Sequence, residues 1–277
     1  MLYKIKRYFL ISLLFIPFTF TSISASENTI FNGEFVQGGV VIGYNKLANQ
    51  VFFDGKELIV NKDGYFIFGF GRNHIKNSIL KIHKKDGSTT ETLNLKIKNS
   101  IYDVEKINGL PKKMVQPGPE FYKKIKEDRL LITNSLKKVV LNNDFPSSFV
   151  APAIGRISGV FGSQRILNGI KKNPHGGLDI AAPIGTPISS TFSGTVVLAA
   201  KGLHYNGNIV IIGHGYGLKS MYLHMEDIYV KTGDLVTQGQ SIGTIGMTGR
   251  VTGPHLHWNV YLNRIKINPQ LLLSLSR

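Results

Sequence analysis

Short apolar and alternating runs separated by turn signals fill the chain from residue 30 to residue 101. The runs are, in order, GGVVIGY, NQVFFDG, KELIV, GYFIFGFG, SILKIHKK and ETLNLKIK. Asp-Gly pairs at Asp54, Asp63 and Asp86 are typical of hairpin turns between such runs. Short strands at regular intervals with such turns indicate a β-sandwich. We therefore predict a small β-sandwich-like domain over residues 27–101.

The next segment, residues 102–145, changes pattern twice. Its first part, up to Glu120, carries three prolines and two glycines, which predicts a linker. A helix is then expected to start at Gly118-Pro119 and to end near Asn142-Asn143. Its apolar positions recur near the helical period and are Phe121, Ile125, Ile132, Leu136 and Val139. Lys123, Lys124, Lys126, Lys137 and Lys138 are expected to form its solvated face.

From residue 146 to the C-terminus the chain alternates strand-like runs with a glycine every few residues, and it shows no long helical pattern. This predicts antiparallel sheets, with one face forming a groove. The stretch TGDLVTQGQSIGTIGMTG is expected to form hairpins, because a phosphate-binding loop would need a following helix and a lysine in register. The predicted fold class is therefore mainly β: a glycine-rich antiparallel sheet domain over 146–277, preceded by a small sandwich and a linking helix.

The N-terminus has the pattern of a signal peptide. Lys4, Lys6 and Arg7 precede an apolar run from Tyr8 to Phe20, and small residues follow. We expect residues 1–26 to be cleaved and the protein to be exported to the cell envelope, most simply to the periplasm. The alternative is an uncleaved membrane anchor, although the run is shorter than the ~20 apolar residues that span a bilayer.

Composition narrows the chemistry further. The 277 residues can form two modest domains, and the absence of cysteine excludes disulfides, thiolate metal sites and a cysteine nucleophile. A net charge of +16 favours polyanions, but the lysines are spread along the chain, so nucleic acid is not the expected partner. An acidic wall polymer or an anionic membrane surface would be attracted equally well. No pattern specifies an oligomeric state.

Two segments bring together side chains that bind metals. In HLHW, His255 and His257 alternate with Leu256 and therefore project from one face of a strand. A zinc site needs three or four nitrogen, sulfur or oxygen ligands, so further groups are required. His175 and Asp179 in HGGLD are the natural candidates. The two glycines between them disfavour a helix, so we expect a turn that leads into a short strand.

The residues from Phe161 to Pro269 resemble the catalytic domain of the lysostaphin-type, or LytM-like, zinc endopeptidases of bacterial cell walls. The resemblance covers about two fifths of the chain. The matching stretches, in order, are FGSQR, HGGLDIAAPIGTPISS, SGTVV, MYLH, VKTGDLVTQGQSIGTIGMTG and TGPHLHW. One departure is Asn259, because the family usually has an acidic residue two places after the second histidine.

The resemblance implies a role for each residue of the site. His175, Asp179 and His257 would bind Zn²⁺, while His224 and His255 would be catalytic histidines that do not bind the metal. Three protein ligands leave one position for water, and a free imidazole can exchange a proton. His224 lies in SMYLHM, which predicts a regular strand with alternating faces. The other four histidines, His74, His83, His204 and His214, are predicted to be structural.

The resemblance also implies a function. The expected protein is an exported zinc endopeptidase that hydrolyses amide bonds in the stem-peptide crosslinks of peptidoglycan, rather than polyglycine bridges. The N-terminal sandwich would position or inhibit the catalytic domain. The alternative is a non-enzymatic activator of other cell-wall hydrolases that binds its partners through the same fold.

Overall fold

A computed structural model describes residues 29–75, 77–85, 90–142 and 144–275. The predicted signal peptide, residues 1–26, lies outside these residues. The chain is mainly β, which confirms the predicted fold class. Within the described residues, no helix combines the length and the apolar character that crossing a bilayer requires.

Strands and short connections alternate along the described chain. The strands are β1 (Ile30–Gly33), β2 (Val40–Tyr44), β3 (Ala48–Phe53), β4 (Lys56–Leu58), β5 (Tyr65–Gly69), β6 (Asn77–Lys84), β7 (Glu91–Lys96), β8 (Val104–Ile107), β9 (Arg156–Gly159), β10 (Gln164–Leu167), β11 (Ile170–Lys171), β12 (Leu178–Ala181), β13 (Pro187–Ser189), β14 (Gly194–Leu203), β15 (Gly207–Gly215), β16 (Leu218–Ile228), β17 (Leu235–Val236), β18 (Ser241–Ile245), β19 (His255–Leu262) and β20 (Ile265–Ile267). The helices are α1 (Lys112–Val115), α2 (Tyr122–Lys137) and α3 (Pro269–Leu273), and a 3-10 turn, Pro119–Phe121, precedes α2.

The N-terminal region consists of two antiparallel sheets, ordered β1-β2-β5 and β4-β3-β6-β7. Their facing side chains form one apolar core, which includes Val41, Val51, Phe66, Phe68, Phe70, Leu80 and Ile82. In β2 and β5 the alternate residues Val40, Ile42 and Ile67 point the other way and join the core of the C-terminal region. These two strands are therefore buried on both faces, which explains their continuous apolar runs.

The main sheet is antiparallel and has the strand order β17-β14-β15-β16-β19-β12-β9, to which β13, β18 and β20 are attached. One of its faces covers the largest core, where Tyr222 and Trp258 are fully buried. On the opposite face, Ile132 and Leu136 of α2 pack against a second cluster that includes Met221. The helix therefore lies on the sheet rather than in solvent.

Helix α2 ends at Lys137, about one turn earlier than the predicted end near Asn142, so that boundary was wrong. Lys138 has already left the helical conformation, with φ −57° and ψ 128°. The following Val140 packs beside the sheet, and Asn142 Nδ2 donates to the carbonyls of Ser193 and His214. Tertiary packing thus ends a helix that the local pattern would continue.

Lys123, Lys124, Lys126, Lys137 and Lys138 were predicted to form the solvated face of the helix, and all five are exposed. Two of them also make contacts. Lys124 Nζ lies 2.6 Å from Oδ1 of Asp128, and Lys138 Nζ donates to the carbonyl of Val197 at 3.0 Å.

The predicted linker is also more ordered than its prolines suggested. Strand β8 pairs in parallel with β10, and the short helix α1 follows it. Leu110, Val115 and Leu167 form a small separate core there. The connection between the two halves of the chain is therefore built into the C-terminal region.

Candidate active site

His175, Asp179 and His257 converge on one point. Asp179 on β12 is the direct antiparallel partner of His257 on β19, and His175 lies in the turn before β12. One potential ligand atom from each residue lies within 4.8 Å of the others. Oδ1 of Asp179 is 2.6 Å from Nδ1 of His257 and 3.0 Å from Nε2 of His175, and the two imidazole nitrogens are 2.9 Å apart.

The backbone around His175 fixes its orientation. Its Nδ1 donates to the carbonyl of Val160 at 2.8 Å, which leaves Nε2 to face Asp179 and His257. A hydrogen bond of this kind selects the tautomer of a metal-binding imidazole. At Gly177 a Cβ would collide with the carbonyl oxygen of Trp258, so this turn needs a glycine where it passes β19.

The electrostatics favour the deprotonated forms that bind metals. Burial opposes ionisation of Asp179, but His257 and His175 hold the pKa of its carboxyl well below the usual range. Burial lowers the pKa of His257 to about 4. At neutral pH Asp179 is therefore a carboxylate and the His257 ring is neutral, which are the protonation states that a cation requires.

The donor set fits zinc. Two imidazoles and one carboxylate are a ligand combination of catalytic zinc sites, in which three protein ligands leave a position for water. All three residues are buried, as side chains that hold an ion commonly are. Their positions on a sheet and on a tight turn restrict how far they can move apart.

His255 lies on the rim of this cluster. It precedes His257 by two residues on β19, and its Nε2 is 3.9 Å from Oδ1 of Asp179. Its Nδ1 donates to the carbonyl of Gly253 at 2.9 Å, so Nε2 is the nitrogen that faces the site. The sequence placed His255 and His257 on one face of a strand, and the structure has them there.

His224 lies on a different strand, β16, and its ring is also beside the cluster. Its ring centroid lies 5.0 Å from that of His255 and 6.1 Å from that of His257. Its Nδ1 donates to the carbonyl of Thr248 at 2.8 Å. Burial, assisted by His255 and His257, lowers the pKa of His224 to about 3, so the ring is neutral and Nε2 carries the lone pair.

The backbone at His224 corrects the sequence-based expectation of a regular strand. Its φ is +64°, and between Tyr222 and Met225 the strand has one residue more than its partner β15. This is a β-bulge, and bulges re-aim side chains near functional sites. Alternation along SMYLHM therefore does not determine where the imidazole points.

The remaining histidines lie outside the groove that holds these residues. His214 is fully buried, with Nδ1 donating to the carbonyl of Ser193 and Nε2 2.7 Å from the Ser220 hydroxyl. The other three contact neighbouring side chains: His74 Nε2 lies 2.6 Å from the Ser78 hydroxyl, and His83 Nδ1 lies 3.0 Å from the Thr90 hydroxyl. The His204 ring meets Phe121 at a tilt and Tyr205 edge to face.

The cluster opens into a groove of about 560 Å³. Its charged lining is mostly basic and comprises Arg129, Arg165, Lys172, Arg250 and Lys266, with Glu105 and Asp179 as the acidic members. Sequence reasoning assigned no role to Arg165, Arg250 or Glu105. Arg165 belongs to the FGSQR stretch, which was a usable signal, but nothing in the local pattern links Glu105 to the site.

Asn259, the departure from the usual acidic residue, also lines the groove. Its side chain is buried, and Oδ1 has no hydrogen-bond partner among the described residues. An amide therefore stands where a carboxylate would add negative charge beside the metal-binding cluster.

Comparison with known proteins agrees with this geometry. The sequence profile of peptidase family M23 matches residues 173–269. Peptidoglycan DD-endopeptidase ShyA of Vibrio cholerae is 44% identical over 114 residues, which cover 41% of this chain and 26% of the relative. Peptidoglycan DD-endopeptidase ShyC of the same organism is 48% identical over 96 residues, which cover 35% of this chain and 22% of that relative. The matched parts thus span about a quarter of these relatives.

A solved structure extends the similarity to the fold. A Pseudomonas aeruginosa protein described as an M23 peptidase has a TM-score of 0.67 and 27% identity, and the match covers 86% of this chain and 95% of that one. The similarity therefore includes the N-terminal region as well as the residues of the family profile. Together, the matched profile, the relatives and the shared fold show that residues 173–269 form a peptidase M23 domain, which confirms the resemblance to the lysostaphin-type, LytM-like family.

Proposed function

We propose that the protein is an exported zinc endopeptidase that hydrolyses amide bonds in peptidoglycan crosslinks. The observation that carries this proposal is the convergence of His175, Asp179 and His257 within 4.8 Å at the floor of a groove. The names of the Vibrio cholerae relatives, both peptidoglycan DD-endopeptidases, support the substrate class.

The proposed chemistry divides the histidines into two groups. Zn²⁺ held by His175, Asp179 and His257 would supply a Lewis acid that polarises the scissile carbonyl and lowers the pKa of a water. In His255 and His224, Nδ1 donates a hydrogen bond to a backbone carbonyl, which leaves Nε2 available for the reaction. We assign to them the transfer of the proton from the attacking water to the leaving amine.

The charge of the groove supports stem peptides as the substrate. Arg129, Lys172, Arg250 and Lys266 surround the approach to the cluster. A basic groove attracts peptides that carry free carboxylates, whereas polyglycine bridges carry no side-chain charge. We therefore propose crosslinks between stem peptides, rather than polyglycine bridges, as the bonds that are cut.

The proposed location is the cell envelope, most simply the periplasm. Peptidoglycan lies outside the cytoplasmic membrane, and the N-terminal sequence has the charge and apolar pattern of an export signal. Without residues 1–26, which carry three basic and no acidic residues, the net charge is +13, and this charge would also favour contact with an anionic membrane surface.

Zinc analysis and digestion of purified peptidoglycan test this function together. We expect about one zinc per chain and, by mass spectrometry, conversion of crosslinked fragments into monomers that carry a new amine. The variant His257→Ala should do neither. A protein that binds zinc and cuts no wall bond, yet stimulates another wall hydrolase, would instead be the non-enzymatic activator.

A further inference from the structure

Arg165 connects the proposed metal-binding cluster to the segment between the two halves of the chain. Its Nη2 contacts Oδ2 of Asp179, and its Nε donates to Oε2 of Glu105 at 2.9 Å. The guanidinium thus bridges two carboxylates. The Asp179 side chain is 7% exposed, and those of Arg165 and Glu105 are 19% and 24% exposed, so this ion-paired chain is largely shielded from water.

The two oxygens of Asp179 have different partners. Oδ1 faces Nε2 of His175 and Nδ1 of His257, at 3.0 and 2.6 Å. Oδ2 faces Arg165 on the other side. Because a carboxylate is planar, fixing Oδ2 also fixes the direction in which Oδ1 points. A guanidinium is suited to this task, because its planar fork forms directional hydrogen bonds with carboxylates.

We propose that Arg165, itself held by Glu105, is a positioning residue that aims the carboxylate of Asp179 at the metal. This inference rests on the proposed function, because it presupposes that Asp179 binds zinc. Outer partners that orient metal ligands commonly contribute to metal affinity. The proposal assigns such a role to two residues, Glu105 and Arg165, that both precede the stretch matched by the family profile, residues 173–269.

The backbone places the three side chains together. Strands β8 and β10 pair in parallel, with Glu105 opposite Arg165. Gly159, opposite Asp179 on β9, leaves the space for this contact, since a Cβ there would lie 2.6 Å from Oδ2 of Asp179 and 3.2 Å from Nη2 of Arg165. Any larger residue at position 159 would push the side chains of Asp179 and Arg165 apart.

Glu105 has a second consequence, for the charge of the site. An isolated guanidinium beside a cation site would repel the metal ion, and this repulsion is strong where water is excluded. Glu105 offsets that charge, so the Arg165–Glu105 pair can orient Asp179 without adding net positive charge. Removal of Glu105 should therefore weaken metal binding in two ways: Arg165 would be positioned less firmly, and the positive charge of its guanidinium would be uncompensated.

Zinc affinity measured by competition with a chelator tests the proposal in the full chain, independently of turnover. Arg165→Gln should raise the zinc dissociation constant by about 10- to 100-fold. Glu105→Gln should raise it by a smaller factor. Arg165→Lys should fall between wild type and Arg165→Gln, because a lysine keeps the charge and loses the fork.

A double-mutant cycle shows whether the two residues act as one unit. If Glu105 acts through Arg165, then Glu105→Gln should have little further effect in an Arg165→Gln background. Matched controls are Asp103→Asn, which removes a charge beside β8, and Arg156→Gln, which removes an exposed arginine from β9. Both should leave the zinc dissociation constant nearly unchanged from wild type.

The outcomes separate this inference from the proposed function. Wild type that binds zinc, together with Arg165→Gln and Glu105→Gln variants that bind it equally well, overturns the positioning role alone. Wild type that fails to bind zinc overturns both proposals. Circular dichroism and the melting temperature of each metal-free variant identify misfolding, and the milder Arg165→Lys still tests the role if Arg165→Gln unfolds.

Discussion

Asp179 and His257 are direct partners across β12 and β19, and Oδ1 of one lies 2.6 Å from Nδ1 of the other. They are 78 residues apart in sequence. Sheet hydrogen bonding fixes their separation, so no loop movement is needed to bring the two side chains together. A site on paired strands is more rigid than one on loops, which favours a preformed metal-binding geometry.

The first prediction concerns Asp179. Asp179→Ala should weaken zinc binding at least about 100-fold and abolish turnover with it, because the remaining imidazoles of His175 and His257 no longer complete a three-ligand set. Elemental analysis after dialysis and peptidoglycan digestion measure the two effects. Asp103→Ala, an exposed residue, is the control and should retain both metal and activity. Full activity in the Asp179 variant would contradict its assignment as a ligand.

The second prediction separates proton transfer from metal binding. His255→Ala and His224→Ala should keep their zinc and lose about 10²- to 10⁴-fold in turnover, the range for general acid–base groups. His83→Ala, which alters a half-buried histidine of the N-terminal sandwich, should change neither quantity. Loss of zinc from the His255 variant to the same degree as from Asp179→Ala would show that His255 is a ligand.

The third prediction tests the hydrogen bond that orients His224. A Cβ at Gly207 would collide with Thr248, whose carbonyl accepts the hydrogen bond from Nδ1 of His224. Gly207→Ala should therefore shift the imidazole and reduce turnover by about 10- to 100-fold, while the zinc content stays unchanged. The rate of peptidoglycan digestion measures turnover, and elemental analysis of the same variant measures its zinc content.

A matched control exists for that substitution. Gly202 has a similar backbone, with φ +70° against +64° at Gly207, but a Cβ added to it would have no atom of the described residues within 4 Å. Gly202→Ala therefore carries the same backbone strain, about 1 kcal/mol, without the collision. Equal losses of turnover in the two variants would mean that strain, rather than displacement of Thr248, is responsible.

The sequence predicted some features of the site because they depend on local periodicity. His255 and His257 share a face because strand side chains alternate, and HGGLD forms a turn because its glycines disfavour a helix. The mainly β fold and the family were predicted correctly as well. The roles of the five residues stay predictions, which the variants above would test.

Other features depend on contacts between distant segments. No local signal marks His224 for a left-handed backbone, because the bulge arises from its pairing with β15. Helix α2 ends at Lys137 because Val140 packs on the sheet, although the apolar period continues past that point. Glu105 meets Arg165 through a parallel strand pair that joins segments 60 residues apart.

The fourth prediction concerns pH and His214, which is remote from the metal-binding cluster. Burial lowers the pKa of this histidine to about 4, against the opposing hydrogen bond to Ser193 and with assistance from the charge of Lys219. The folded state keeps the ring neutral, whereas the unfolded state protonates near pH 6.5. Its contribution to stability is therefore present above pH 6.5 and is lost as the pH falls toward 4.

Denaturant unfolding at several pH values, with chelator present, measures this effect. Between pH 6.5 and 4, the free energy of unfolding of wild type should fall by about 3 kcal/mol more than that of His214→Gln, which has no titrating group at position 214. His224 and His257 are shifted in the same direction, but both proteins contain them, so the difference isolates His214. Parallel pH curves for the two proteins would contradict the prediction.

The last prediction concerns the proposed division of the chain into 27–101, 102–145 and 146–277, which stays a prediction. Ile132, Leu136 and Val140 pack on the main sheet, so a fragment of residues 146–277 would expose the apolar surface beneath them. Leu110, Val115 and Phe145, which are buried in cores of the C-terminal region, would be lost as well. At about 1 kcal/mol for each of these six side chains, the fragment should be about 6 kcal/mol less stable than residues 102–277 and melt about 20 °C lower. Calorimetry and dye binding to exposed apolar surface compare the two fragments. Equal melting temperatures would show that residues 102–145 are dispensable for the stability of the catalytic region.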